Sequence, residues 1–243
     1  MKLEQDNTDA ASSKFDCLIC ASPLAYHTDA RSFTCSLCGV EFQSEVSCEQ
    51  GHFICDTCHS SSANELIEKV CAQSESTQPV DLAITLMKSP TIKMHGPEHH
   101  YLVPAVLVTT FYNKKGQPEE KAKKLRVARQ RAENVLGGFC GFYGACGAGI
   151  GTGIFISLIT DSTPLSTETW GLANKMTSES LACIADLGGP RCCKRDTFLA
   201  LKSAAHFVQD HFPDRLAISD PLLCDFSHLN RECLLADCPF HSG

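Results

Sequence analysis

Two textures meet near residue 60 of this chain. Before it, apolar residues are scattered singly among polar ones and cysteine pairs, with few large aliphatic side chains between the pairs. Such a segment cannot fold by hydrophobic burial alone. From Ser61 onward the apolar positions recur at helical spacing. SSANELIEKVCAQ offers Ser or Asn caps and then puts Leu66, Ile67, Val70 and Cys71 on one face. PVDLAITLMKSP predicts a short helix bounded by Pro79 and Pro90. HGPEHHYLVPAVLVTTFYN predicts a helix from Pro97 that is mostly apolar and therefore buried. QPEEKAKKLRVARQRAENV is charged, with Leu125, Val127, Ala128 and Val135 as a thin apolar stripe, and belongs at the surface. STETWGLANKMTSESLACIADLGG predicts one helix or two ending at Gly188 and Gly189. Pro190 then opens another through RCCKRDTFLALKSAAHFVQDHF. No strict alternation long enough to demand a sheet occurs in this half, so the pattern predicts a mainly α protein. Residues 1–14 read as a polar tail, 15–60 as a small module, and 61–243 as an all-α, cysteine-containing domain.

One stretch complicates this picture. From Asn134 to Thr160 there is no charged residue, and the length satisfies the rule for a membrane span. Its first half is too rich in glycine for a good helix, and no Lys/Arg asymmetry flanks it. It reads instead as a buried glycine-rich loop leading into a core helix, with no membrane partner expected.

Charge and cysteine content narrow the function. A net charge of −7 supplies no overall field for nucleic acid, so an RNA or DNA partner would need a local basic patch. The opening MKLEQDNTDAASSKFD is polar and acidic, which predicts no signal peptide and a cytoplasmic chain. In a reducing compartment 16 cysteines, several in CxxC spacing, argue for metal rather than for disulfides.

The densest pattern is Cys17-x2-Cys20, Cys35-x2-Cys38, then Cys48-x3-His52-x2-Cys55-x2-Cys58. Four pairs give eight soft ligands, enough for two closed tetrahedral zinc sites. Gly39 and Gly51 permit the tight turns that let paired thiolates converge. The order of pairs resembles RING-like and zinc-ribbon modules. In a cross-braced arrangement Cys17, Cys20, Cys48 and His52 share one ion and Cys35, Cys38, Cys55 and Cys58 the other; sequential pairing fits the spacing equally well. Closed sites leave no position for catalysis, so the module is expected to fold a surface that docks a protein partner or the second domain.

The remaining cysteines do not form CxxC pairs. Cys192 and Cys193 follow the Gly188-Gly189-Pro190 break, in what is expected to be the first turn of a helix, and stand between Arg191 and Lys194. The helix end and the two cations are expected to favour thiolate, the form that ligates metal or attacks an electrophile. Cys140 and Cys146 lie among glycines whose N–H groups suit an anion or an iron–sulfur cluster. That stretch is no P-loop, because no Lys-Ser/Thr follows it. The tail adds Cys224, Cys233 and Cys238, the last followed by Pro239, as in ferredoxin-type ligation though not at ferredoxin spacing. His95, His99 and His100 surround a helix start, where neutral imidazole is favoured, and are candidates to bind metal or move protons.

Four segments, KMHGPEHH (93–100), GGFCGFYGACGAGIGTGIF (137–155), GGPRCCKR (188–195) and CPF (238–240), carry a resemblance to an uncharacterised cysteine-rich domain family of anaerobic microbes. Cys146-Gly147-Ala148 is also similar to small redox-active proteins with a CGCAxxGCC-type pattern. Together these readings predict two zinc ions in the N-terminal module and one iron–sulfur cluster in the helical domain. Cys140, Cys146, Cys192, Cys193, Cys224, Cys233 and Cys238 supply its candidate ligands, and Cys192 or Cys193 with the three histidines the candidate catalytic groups. The function expected is that of an iron–sulfur or redox-thiol enzyme of anaerobic, sulfur-related metabolism. The alternative is a zinc-dependent adaptor for protein or RNA in which every cysteine is structural.

Overall fold

A computed structural model describes residues 17 to 242 apart from 18, 21, 56–61 and 219–220, with the side chain of Tyr26 also outside the description. The chain divides into two compact units, residues 1–59 and 60–243.

The described part of the first unit is built on one antiparallel hairpin. Strand β1, Leu24–Thr34, pairs with β2, Glu41–Cys48, so that Leu24 faces Cys48 and Thr34 faces Glu41, with an irregularity between Tyr26 and Arg31. Along β2 the exposed Glu41, Gln43 and Glu45 alternate with half-buried Phe42, Ser44 and Val46. The apolar contribution is small: Phe53 lies 5.8 Å from Phe33 and 6.2 Å from Phe42, ring centre to ring centre. Among the described residues that aromatic patch, Leu37 and the buried cysteines are nearly all the module buries.

The second unit is helical. Its elements are α1 (Ala63–Gln73), α2 (Pro79–Met87), α3 (Glu98–Lys115), α4 (Pro118–Ala132), the single turn α5 (Phe139–Phe142), α6 (Gly147–Ile159), α7 (Glu168–Leu187) and α8 (Cys193–His211). Helix α1 starts with a reciprocal cap, in which Ser62 Oγ accepts the Glu65 N–H and the Glu65 carboxylate accepts the Ser62 N–H. Leu66, Ile67, Val70 and Cys71 are its buried face, as the spacing predicts. Helix α3 is buried from Tyr101 to Tyr112 without a break and packs against α1, α2, α4, α6 and α8. Helix α4 lays Leu125, Ala128 and Ala132 on that core, buries Lys121 with its ammonium on the Ser74 carbonyl and Asn113 Oδ1, and exposes Lys123, Arg126 and Arg131. After α8 the chain continues without long helices through short 3-10 turns at Ser227–Leu229 and Leu235–Asp237.

Two expectations need correction. Pro190 does not open the last helix; Cys192 is its N-cap and Cys193 its first residue, because the Cys192 thiol itself receives the Arg195 N–H at 3.5 Å. The glycine-rich segment before α6 is not buried either, since Phe142 is 88 % and Tyr143 74 % exposed. No helix among the described residues is long and apolar enough to cross a membrane.

The glycines inside α6 have a packing role. A Cβ on Gly147 would collide with the His100 ring and one on Gly153 with Thr177, so α6 lies tight against α3 on one side and α7 on the other. At Gly151 an added Cβ would sit 2.8 Å from Pro104 Cδ and 3.1 Å from Val103 Cβ, both on the rigid, buried stretch of α3. Gly151→Ala is therefore expected to destabilise the helical unit by about 1–3 kcal/mol, despite alanine's better helix propensity. Urea unfolding followed by circular dichroism at 222 nm measures this.

Candidate metal centres

In the hairpin unit the metal-ligating atoms converge. Cys17 and Cys20 precede β1, Cys35 and Cys38 lie in the turn between the strands, Cys48 ends β2, and His52 and Cys55 follow the turn at Gly51. The donor atoms of Cys17, Cys20, Cys48 and His52 all lie within 4.8 Å of one another, and so do those of Cys35, Cys38 and Cys55. This is the cross-braced pairing. Cys58, expected as the last ligand of the second group, lies outside the described residues. The Cys20–Cys48 and Cys38–Cys55 sulfur separations are 3.5 and 3.9 Å. Four thiolates around one zinc at a bond length near 2.3 Å stand about 3.8 Å apart. Each group can hold one metal ion, and the donor sets suit zinc.

The backbone favours the ligating form of these thiols. Cys17 Sγ receives the Ile19 N–H at 3.4 Å, Cys48 Sγ the Gln50 N–H at 3.2 Å and Cys35 Sγ the Cys55 N–H at 3.4 Å. Gly39 and Gly51 have φ of 70° and 83°, which close these turns without strain. Burial opposes ionisation of Cys20 and Cys35, but hydrogen bonds outweigh it and bring their thiols down to about 6 and about 7. A double substitution distinguishes the pairings: Cys20→Ser with Cys48→Ser should lower the bound metal from two ions per chain to one, as counted by native mass spectrometry, whereas sequential pairing requires the loss of both.

In the helical unit the cysteines form two looser groups, and the neighbours Cys192 and Cys193 belong to different ones. Cys192 borders a small cavity together with Cys224, Cys233 and Cys238. The turns around it repeat the backbone motif of the hairpin: Cys224 Sγ receives the Phe226 N–H and Cys233 Sγ the Leu235 N–H, both at 3.4 Å. Yet among the described residues no three of these four thiols meet the 4.8 Å convergence that both hairpin groups satisfy. They ring a cavity rather than a point. Asn230, Met94 and Phe226 also border it.

Cys193 instead shares its electrostatic surroundings with Cys140 and Cys146 and accepts the Gly96 N–H. Cys146 caps α6 and donates to Asp196 Oδ2 at 3.8 Å. Cys140 and Cys146 line an open cleft with Arg191, Arg195 and Asp196, walled by Leu181 and Ile184 of α7.

The cations are arranged differently from the expectation. Arg191 is exposed, but Lys194 is 1 % exposed and donates to the carbonyls of Met87 at 3.1 Å and Ile92 at 3.0 Å. Arg195, which the sequence reading passed over, is the second interior cation. It bonds Asp196 Oδ1 at 3.1 Å and the carbonyls of Gly188 at 2.8 Å and Pro190 at 3.1 Å. The expected thiolate bias at the helix start is overturned: burial pushes Cys192 up to about 11 and Cys146 up to about 12, with Asp196 adding to both. Cys193 is raised by burial as well. A metal bound to such thiols replaces their protons, so binding there is coupled to proton release. Cys71, wholly buried in α1 and pushed up to about 12, packs as a small hydrophobe.

The three histidines occupy distinct places. His95 Nε2 donates to Asn230 Oδ1 at 3.1 Å beside the four-cysteine cavity. His100 bonds the Val135 carbonyl through Nδ1 at 2.7 Å, leaving Nε2 as the basic nitrogen next to Gly147. His99 is 1 % exposed, with Nε2 donating to the Lys93 carbonyl at 3.1 Å and Nδ1 accepting from Thr197 Oγ1 at 3.2 Å. Burial, reinforced by the charge of Lys194, brings its imidazole down to about 3. The unfolded chain takes up this proton near pH 6.5, the folded one only near pH 3, so stability falls as the pH drops through that window. The slope from this group is at most about 1.4 kcal/mol per pH unit. His99→Gln should flatten the loss between pH 6.5 and 5 in urea titrations. Subtracting variant from wild type isolates His99 from Asp196, whose carboxyl is raised by burial and acts with the opposite sign.

Residues 67–241 match the model of a family of unknown function, DUF5714, and the chain belongs to that family. The match covers the helical unit and stops short of the hairpin module. No curated protein and no solved structure matches the chain.

Proposed function

We propose that the protein is an iron–sulfur, redox-thiol enzyme of anaerobic, sulfur-related metabolism, acting in the cytoplasm. Its hairpin module is held by two zinc ions and docks a protein partner, and its helical unit carries one cluster on Cys192, Cys224, Cys233 and Cys238. The observation that carries this reading is the contrast between the two kinds of cysteine group. The hairpin thiols stand at the spacing of ligands to a single ion, whereas the four thiols of the helical unit border one small cavity without converging on a point. A polynuclear centre bridges that spacing and one ion does not. When bound, such a cluster supplies one-electron transfer.

The neighbouring cleft, with Cys140 and Cys146 on its wall, is the place for a substrate that reacts with thiols. Cys193 shares the electrostatic surroundings of Cys140 and Cys146. His100, with its basic Nε2 beside the start of α6, and His95, beside the cluster, are the proton carriers of this reading. His99, enclosed and neutral, holds α3 to α8 in the same scheme. The adaptor reading applies best to the hairpin module alone, whose closed sites offer no open coordination position. A protein partner suits it better than nucleic acid, given the chain's net charge of −7.

Elemental analysis of anaerobically purified protein tests the proposal. It predicts two zincs and about four irons with matching sulfide per chain. Cys192→Ser with Cys224→Ser should remove iron, sulfide and visible absorption while both zincs stay. Zinc alone, even after anaerobic reconstitution, would reject the enzyme reading in favour of the adaptor.

A further inference from the structure

The four-cysteine cavity has a polar neighbour whose hydrogen bonding is incomplete. Asn230 is 7 % exposed and borders the cavity. Its Oδ1 accepts two donors, His95 Nε2 at 3.1 Å and the Glu232 N–H at 3.2 Å. The Glu232 N–H fixes which end of the amide is which, because a flipped side chain would set N–H against N–H there, and His95 Nε2 is then the donor to Oδ1. The amide nitrogen, Nδ2, is then left as a buried donor with no acceptor.

An unmade bond of this kind is costly in a protein interior and calls for an explanation. Among the described residues four buried side-chain polar atoms have no partner, and two of them, Asn230 Nδ2 and His95 Nδ1, belong to this one hydrogen-bonded pair. Its anchoring is strong: His95 also approaches Glu232 Oε2 at 3.6 Å, and the Asn230 backbone carbonyl accepts the Cys233 N–H at 3.2 Å, which ties the Asn230 backbone to one of the four cysteines. A residue held so firmly, with one donor unused, beside a cavity ringed by thiols, is built to meet an acceptor that occupies that cavity.

We infer that Asn230 Nδ2 donates a hydrogen bond to a sulfur of the cluster held by Cys192, Cys224, Cys233 and Cys238, and that His95 positions it to do so. The inference rests on the cluster reading and deepens it: the occupant of the cavity brings sulfur acceptors of its own. Hydrogen bonds to cluster sulfurs stabilise the more negative, reduced core and so raise the reduction potential. Asn230 is thus a positioning residue that sets the potential rather than a ligand.

The test uses the full chain, purified and reconstituted anaerobically, with iron, sulfide and zinc counted in every sample. Asn230→Asp keeps the shape and removes both N–H donors; Asn230→Leu removes the amide altogether. In both, the midpoint potential from an EPR-monitored redox titration should shift negative of wild type, with zinc content unchanged. Variants that carry full iron and sulfide at the wild-type potential would overturn this inference while leaving the cluster reading intact. Wild-type protein without iron and sulfide would overturn both. Should the variants fail to load iron, wild-type holoprotein labelled with 15N-asparagine decides the matter. Pulsed EPR is expected to show a single asparagine side-chain nitrogen coupled to the reduced cluster, and no such coupling overturns the inference.

Discussion

The helical unit depends on the close approach of α6 to α3 and α7. Helices pack at 8–10 Å when ordinary side chains separate them, and the four glycines of α6 remove that separation on two opposite sides. The consequence reaches the chemistry. Cys146, as the N-cap of α6, is thereby held against Asp196 of α8, and His100 of α3 is held against Gly147. The glycines within α6 serve helix packing rather than a binding loop; the exposed turn before them, with Gly141, Phe142 and Gly144, is the part that lines the cleft.

A second constraint is electrostatic. Lys194 lies in the interior with its ammonium on two backbone carbonyls and 4.8 Å from the Phe226 ring, close to Cys192, Cys193 and Cys224. Burial brings its amine down to about 8, while Glu98 and the cysteines act to keep it charged. A buried cation is costly without negative charge beside it, and Glu98 is the first source of it here. Thiolates at Cys192, Cys193 or Cys224 would add to it, and Lys194 would offset part of their charge.

Much of this was legible in the sequence. Strong helical periodicity located α1 to α4 and α7, because apolar spacing, caps and prolines agree there. The eight-ligand pattern announced two metal sites, but the choice of cross-bracing is made by the hairpin, which brings Cys48 back to Cys17 and Cys20. That hairpin was not foreseen, since its strands carry few apolar residues and owe their pairing to the turns that the ligands close. The opposite error concerned Cys192 and Cys193. Their helix end and cationic neighbours suggested ready thiolates, yet burial, which a linear sequence does not display, is the larger effect. Asn230 and Arg195 gave no sign at all in the sequence. Each matters through partners more than a hundred residues away or through a fold of the chain onto itself.

Cys192 and Cys193 are joined by one peptide bond at the start of a long, well-packed helix, and they serve different groups of thiols. A rigid joint of this kind transmits displacement. Whatever draws Cys193 toward the cleft must turn the first residues of α8, and with them the N-cap that carries Cys192. The two groups of thiols therefore share a single backbone joint beside the buried Lys194 and Arg195, and a turn of that joint moves one thiol of each.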